Sequence, residues 1–193
     1  MFESKSNAAI SAFHQGVEYE KKRNYVAAEQ CYRVAADLDL AEAQFALARL
    51  YDEGVKGIEQ NTLEAIKWYK RASEQKHVEA LFTLGYIYQF GQEVPKDEKK
   101  ALAYYLESAQ LGHVEAQFNL GRLYQLSKSA LQNNAEAIRW YALAVAQGHA
   151  GARINLETMA NTGIKGAAAA LKLLNRQTLI SQQPLKLSFM QIL

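Results

Sequence analysis

The pairs Trp68-Tyr69, Tyr104-Tyr105 and Trp140-Tyr141 stand 36 residues apart, and two further columns, Ala65, Ala101, Ala137 and His77, His113, His149, keep the same step. Three columns in one register make the chain a tandem array. A repeat of this length is one supersecondary unit that must stack on its neighbours to bury its apolar face. The segments AEAQFALARLYDEG, VEALFTLGYIYQFG and VEAQFNLGRLYQLS open successive repeats, and AGARINLETMANTG opens another. The first step is 37 because the loop from Gly54 to Ala65 is one residue longer than that from Gly91 to Ala101. An insertion in a loop leaves helix packing untouched.

Within a repeat, Ala43, Leu47, Leu50 and Gly54 fall at i, i+4, i+7 and i+11, and Ala80, Leu84, Ile87 and Gly91 repeat that stripe. This spacing predicts a helix with one apolar face. In DEKKALAYYLESAQLGH a second helix follows Asp97 as N-cap, with Ala101, Tyr105, Ser108 and Ala109 on its buried side. Gly112 and Gly148 follow their helices where a left-handed C′ residue is wanted. Each repeat is therefore helix, loop, helix, short turn. Small residues share a column at Ala48, Gly85 and Gly121, which lets helices cross closely, while Tyr51, Tyr88 and Tyr124 fill the space alongside.

The N-terminal segment keeps the columns as Gly16, Tyr19, Tyr25, Ala28, Tyr32 and Ala35, but its loop is four residues shorter: Tyr19 to Ala28 is 9 residues, against 13 from Tyr88 to Ala101. The pattern A-x-A-x-F-x-L-G-x-[IL]-Y, a loop glycine, then A-x-x-[WY]-[YW]-x-x-[AS] and G-H resembles the Sel1-like repeat, and the first hairpin resembles a tetratricopeptide (TPR) repeat. The resemblance covers about residues 8–163. It implies an all-α fold, a right-handed superhelix of antiparallel helical hairpins with about ten helices. The domain expected is one repeat array over residues 1–176, with hairpins at 7–39, 40–76, 77–112, 113–148 and a degenerate C-terminal cap at 149–176. Two departures stand out: Ser127 replaces the loop glycine of one repeat, and the last second helix, GAAAALKLLNRQ, lacks the aromatic pair.

Composition narrows the function classes. The net charge of +2 is too near balance for a dedicated polyanion binder, so nucleic acid is not the expected partner. The single cysteine, Cys31, forms no internal disulfide and is expected as a small core residue of the second helix. No stretch approaches the roughly 18 apolar residues of a membrane span, and the opening MFESKSNAAISAFHQG lacks a signal-peptide centre. A cytoplasmic protein without membrane insertion is the expectation, with secretion as an effector or loss of a leader left open.

The three histidines at 36-residue spacing suggest a metal site. Translation by one repeat, however, places them on different hairpins about 10 Å apart, the spacing of packed helices, so one ion cannot reach all three. They are expected to serve the turn after each second helix. No nucleotide-binding glycine motif and no nucleophile with a base stands apart from the repeat pattern. No catalytic set, cofactor or metal is therefore expected. A cell-wall or β-lactam hydrolase is the alternative implied by a cysteine-rich Sel1-like subgroup, and the absence of cysteine pairs disfavours it.

The resemblance implies a bacterial interaction scaffold or adaptor that holds a protein or peptide on the concave wall of first helices. In TPR register one groove column reads Phe13, Phe45, Phe82, Phe118, Ile154, a second Val17, Arg49, Tyr86, Arg122, Thr158, and a third His14, Ala46, Thr83, Asn119, Asn155. The candidate contacts are Arg49, Asp52, Phe82, Tyr86, Gln89, Phe118, Asn119, Arg122, Gln125 and Asn155. Arginine offers forked donors to a carboxylate, asparagine bridges to an extended backbone, and aromatic rings give apolar contact at low entropy cost. The phenylalanine column has a competing reading as core between helices. Residues 177–193 form an apolar tail in which Leu185, Leu187 and Phe189 alternate with Lys186 and Ser188. It is expected to pack on the array, or to dock in its own or a neighbour's groove and drive self-association.

Overall fold

The computed structural model describes residues 2–127 and 132–181, and these form ten α-helices. They fall into two compact units, residues 1–113 and 114–193. The first holds α1 (Phe2–Lys21), α2 (Tyr25–Asp37), α3 (Ala41–Glu53), α4 (Thr62–Glu74), α5 (Val78–Phe90) and α6 (Glu98–Gln110). The second holds α7 (Val114–Leu126), α8 (Asn134–Ala146), α9 (Ala150–Asn161) and α10 (Ala167–Ser181). The expected all-α array of helical hairpins is what forms. Residues 182–193 lie outside the described residues, and the expected docking of the tail with them.

Four of the second helices start by the same device. Asn24, Asn61, Asp97 and Asn133 cap α2, α4, α6 and α8, and their side chains accept from backbone N–H groups of the first turn. The backbone N–H of the same four residues donates to the carbonyls of Tyr19, Tyr51, Tyr88 and Tyr124, at 2.9, 2.7, 2.8 and 2.8 Å. The loop that is four residues shorter in the first hairpin thus closes on the same hydrogen bond as the longer ones. Loop length varies, and the hairpin geometry does not.

The turns out of the second helices also repeat. The N–H groups of Leu40, His77, His113 and His149 reach back to the carbonyls of Ala35, Ala72, Ser108 and Ala144, the long-range bond of a Schellman motif. The residue before each is left-handed. Gly112 (φ +93) and Gly148 (φ +90) fill that place as expected, whereas Asp39 (φ 69) and Lys76 (φ 63) hold it in the first two hairpins.

The core of the N-terminal unit consists of alanines and leucines of the stripes, with Tyr32, Tyr69 and Tyr105 buried among them. In the C-terminal unit Tyr141, Leu156, Met159 and Leu174 form the equivalent cluster. Cys31 departs from expectation, being half-buried rather than core. It occupies the column of Trp68 and Trp140, which are 7% and 4% exposed, and a thiol is too short to be covered where an indole reaches inward. Burial still raises its pKa.

Candidate protein-binding groove

The small-residue column sets the distance between the two helices of a hairpin. A Cβ placed on Gly16, Gly85 or Gly121 would stand 2.6 Å from a ring carbon of Tyr32, Tyr105 or Tyr141, respectively. One turn further along the first helix, four residues after that column, a polar side chain accepts from the tyrosine hydroxyl. Tyr32 donates to Glu20 at 2.6 Å, Tyr69 to Asp52 at 3.4 Å, Tyr105 to Gln89 at 2.8 Å and Tyr141 to Gln125 at 2.7 Å. Burial pushes the Tyr141 phenol up to about 12 and raises the Asp52 carboxyl above the usual carboxylate range.

The phenylalanine column meets the histidines. Phe45 stacks on His77, Phe82 on His113 and Phe118 on His149, with centroids 4.5, 4.6 and 4.3 Å apart, and each phenylalanine also abuts the tyrosine of its own hairpin. All three rings are half-buried, so they are neither closed core nor free surface. The histidines serve the turn, as expected from their place after each second helix: Nδ1 of His77 accepts from the N–H of Ala80 at 3.3 Å, and Nδ1 of His149 from that of Ala152 at 2.9 Å. A neutral imidazole is needed for this cap. Burial lowers the His77 pKa, partly offset by Glu79 and Glu42.

In the N-terminal unit the first-helix face opens into a groove of about 750 Å³ bordered by α1, α3 and the start of α5. Phe13, Val17, Phe45 and Ala46 supply its apolar lining, Tyr25 and Tyr32 add rings, and Glu20, Lys21, Arg23, Glu42, Arg49, His77 and Glu79 supply its charged and titratable lining. Arg49 donates from Nη2 to Glu20 across it, and lies 3.8 Å from Glu53. Further along, Tyr86 is 40% exposed and its ring lies 4.5 Å from that of Phe90, which is 53% exposed. In the C-terminal unit Arg122 sits over the Phe118 ring at 5.7 Å. Asn119 is half-buried, and Asn155 donates to the Tyr141 hydroxyl at 3.1 Å.

The Sel1 repeat family model matches residues 6–40, 41–77, 78–113 and 114–149, well over half of the sequence. The chain belongs to the Sel1 repeat family. The match includes the first hairpin, short loop and all, and leaves α9 and α10 beyond it. Among solved structures, a Sel1 repeat protein from Oxalobacter formigenes is similar over 93% of this chain and 73% of its own, at 27% identity and a TM-score of 0.76. A protective antigen of uropathogenic Escherichia coli strains with an SLR fold is similar over 90% of this chain and 38% of its own, at 27% identity and a TM-score of 0.75. A chitin synthase regulator of Malassezia restricta is 37% identical over 99 residues, 48% of this chain. The chain spans only 7% of that regulator's length. Sel1 repeat proteins act in general as non-catalytic protein-interaction scaffolds.

Seen as Sel1 hairpins, the candidate contacts separate into two sets. Asp52, Gln89 and Gln125 each hydrogen-bond to the buried tyrosine of their own hairpin, and Asn155 bonds to Tyr141 of the preceding one. Arg49, Asn119 and Arg122 are half-buried and Tyr86 is exposed, with Phe82 and Phe118 as their half-buried neighbours. Glu20, Arg23, Glu42 and Glu79 line the groove and were not singled out from sequence, and His77, singled out there for the turn, lines it too. The signal for Glu20 was present, since it stands four residues after Gly16 as Gln89 does after Gly85. Among the described residues no helix is long and apolar enough to cross a membrane, and no cluster of histidine, cysteine or carboxylate side chains could hold a metal ion.

Proposed function

We propose that this Sel1 repeat chain is a scaffold or adaptor whose first-helix face holds a peptide or protein segment. In the N-terminal unit Arg49 and Tyr86 make the contacts, with Phe82 as part of the floor; in the C-terminal unit Asn119 and Arg122 do so, with Phe118 as part of the floor. The observation that carries this reading is the open groove of the N-terminal unit, where half-buried aromatic rings lie beside charged side chains of both signs. Such a surface offers apolar contact and polar registration together, which is what holding an extended segment requires. A relative named as a regulator of a chitin synthase is consistent with a part that acts by holding a partner.

The test is a crosslinking map. Photoreactive residues placed singly at Val17 and Tyr86, on the first-helix face, and at Lys67 and Arg139, on exposed second-helix positions, are activated in extracts of the source cells. The expected result is a discrete protein adduct at Val17 and Tyr86, weakened by Arg49→Ala. The same adduct at Lys67 and Arg139 alone would move the binding surface to the second helices.

A further inference from the structure

The groove of the N-terminal unit is polarised along its length. At one end Glu42 and Glu79 stand in the first turns of α3 and α5. At the other, Lys21, paired with Glu18, ends α1 and Arg23 follows it, both with exposed side chains. Between them lies the apolar floor of Phe13, Val17 and Phe45. On α3 alone, Glu42 and Arg49 are seven residues apart, about 10 Å along the axis at 1.5 Å per residue, and Arg49 is bonded to Glu20. The centre of the groove is thus internally neutralised, while its ends are not. Among the described residues Arg23 and Glu42 make no ion pair. Glu79 has only His77 near it, at 3.6 Å, and that imidazole uses its nitrogen as an acceptor for the α5 cap.

A carboxylate in the first turn of a helix is favoured by the helix dipole, which accounts for glutamate at both positions. It does not account for their lining, with the opposite charge at the far end, one open apolar groove. Resting on the reading that the first-helix face holds a segment, we propose that the occupant of the N-terminal groove is a peptide of mixed charge. A lysine or arginine lies against Glu42 and Glu79, an apolar side chain sits between Phe13 and Phe45, and an acidic side chain faces Arg23. Charge at the ends selects and orients the segment, because like charges opposed there are unfavourable, while the apolar floor supplies most of the contact.

The experiment is selection from a random twelve-residue peptide library displayed on phage, against the full chain and two variants. The expected outcome is enrichment of peptides with an apolar residue flanked by a base on one side and an acid on the other. Glu42→Lys with Glu79→Lys removes the preference for the base and leaves that for the acid, and Arg23→Glu does the reverse. All three substituted positions are exposed, and far-ultraviolet circular dichroism checks that each variant is folded. Glu42→Gln with Glu79→Gln serves as the milder change, expected to lower retention of a selected peptide severalfold. Enrichment without flanking charges, or with preferences unchanged in the variants, overturns the mixed-charge assignment. If selected peptides also crosslink to Val17, the groove reading survives that failure. If they crosslink only to Lys67 or Arg139, both fall.

Discussion

The ring of Tyr105 lies where a Cβ on Gly85 would have to be, 2.6 Å from Cδ1. The same approach joins Gly121 to Tyr141 and Gly16 to Tyr32, so one contact, repeated, sets the width of these hairpins.

Gly85→Ala therefore brings two opposed effects. Alanine gains about 1 kcal/mol of helix propensity over glycine. Overpacking a filled site against a rigid, fully buried ring costs about 1–3 kcal/mol. The net expectation is a loss of up to about 2 kcal/mol, read as a lower urea midpoint. Gly121→Ala should behave alike. An unchanged midpoint would mean that the tyrosine ring moves aside freely.

The tyrosine hydroxyls give a second, graded test. Tyr141 donates to Gln125 at 2.7 Å and accepts from Asn155 at 3.1 Å, whereas the Tyr69 to Asp52 bond is 3.4 Å long. Removing a hydroxyl that makes good buried hydrogen bonds costs about 1–2 kcal/mol, and a long bond contributes less. Tyr141→Phe should lower stability by that amount, and Tyr69→Phe by clearly less. Equal losses would show that the two hydroxyls sit in equivalent sites.

Most of the fold was legible because a repeat states each rule several times. The 36-residue columns, the capping Asp97 and the left-handed Gly112 and Gly148 each follow from one local preference. The candidate site was legible only in outline. Helical spacing puts Arg49 and Asp52 on neighbouring parts of one face, yet Asp52 turns to a tyrosine of the same hairpin and Arg49 to a glutamate of the previous one. That choice depends on side-chain reach between helices, which spacing within one helix does not encode. Glu42 and Glu79 were overlooked because a first-turn glutamate is ordinary in any helix, and only the groove gives the pair a shared setting.

The His77 cap predicts a pH dependence with a definite sign. Burial holds the folded-state pKa below its ordinary value of 6.5, so the unfolded chain binds the proton more tightly. Stability from this residue is complete above pH 6.5 and is lost as the pH falls through the lowered folded value. The urea midpoint should decline between pH 7 and pH 5, and His77→Asn, which keeps a side-chain cap without a titrating group, should flatten that part of the curve. A midpoint that rises on acidification would show that the charged imidazole, drawn to Glu79 and Glu42, is the favoured form.

Arg49 and Glu20 decide how readily the groove can offer a cation to a partner. Their side chains are 38% and 22% exposed, and pairs this open to water contribute about 0.2–1 kcal/mol. A double-mutant cycle with Arg49→Met and Glu20→Gln, the latter keeping an acceptor for Tyr32, should give a coupling within that range. It should shrink further in 1 M salt, where the screening length is about 3 Å. A coupling that small leaves Arg49 free to exchange Glu20 for a carboxylate of a bound segment at little cost. A coupling of several kcal/mol, insensitive to salt, would instead fix Arg49 as a strut between α1 and α3 and remove it from the set of partner contacts.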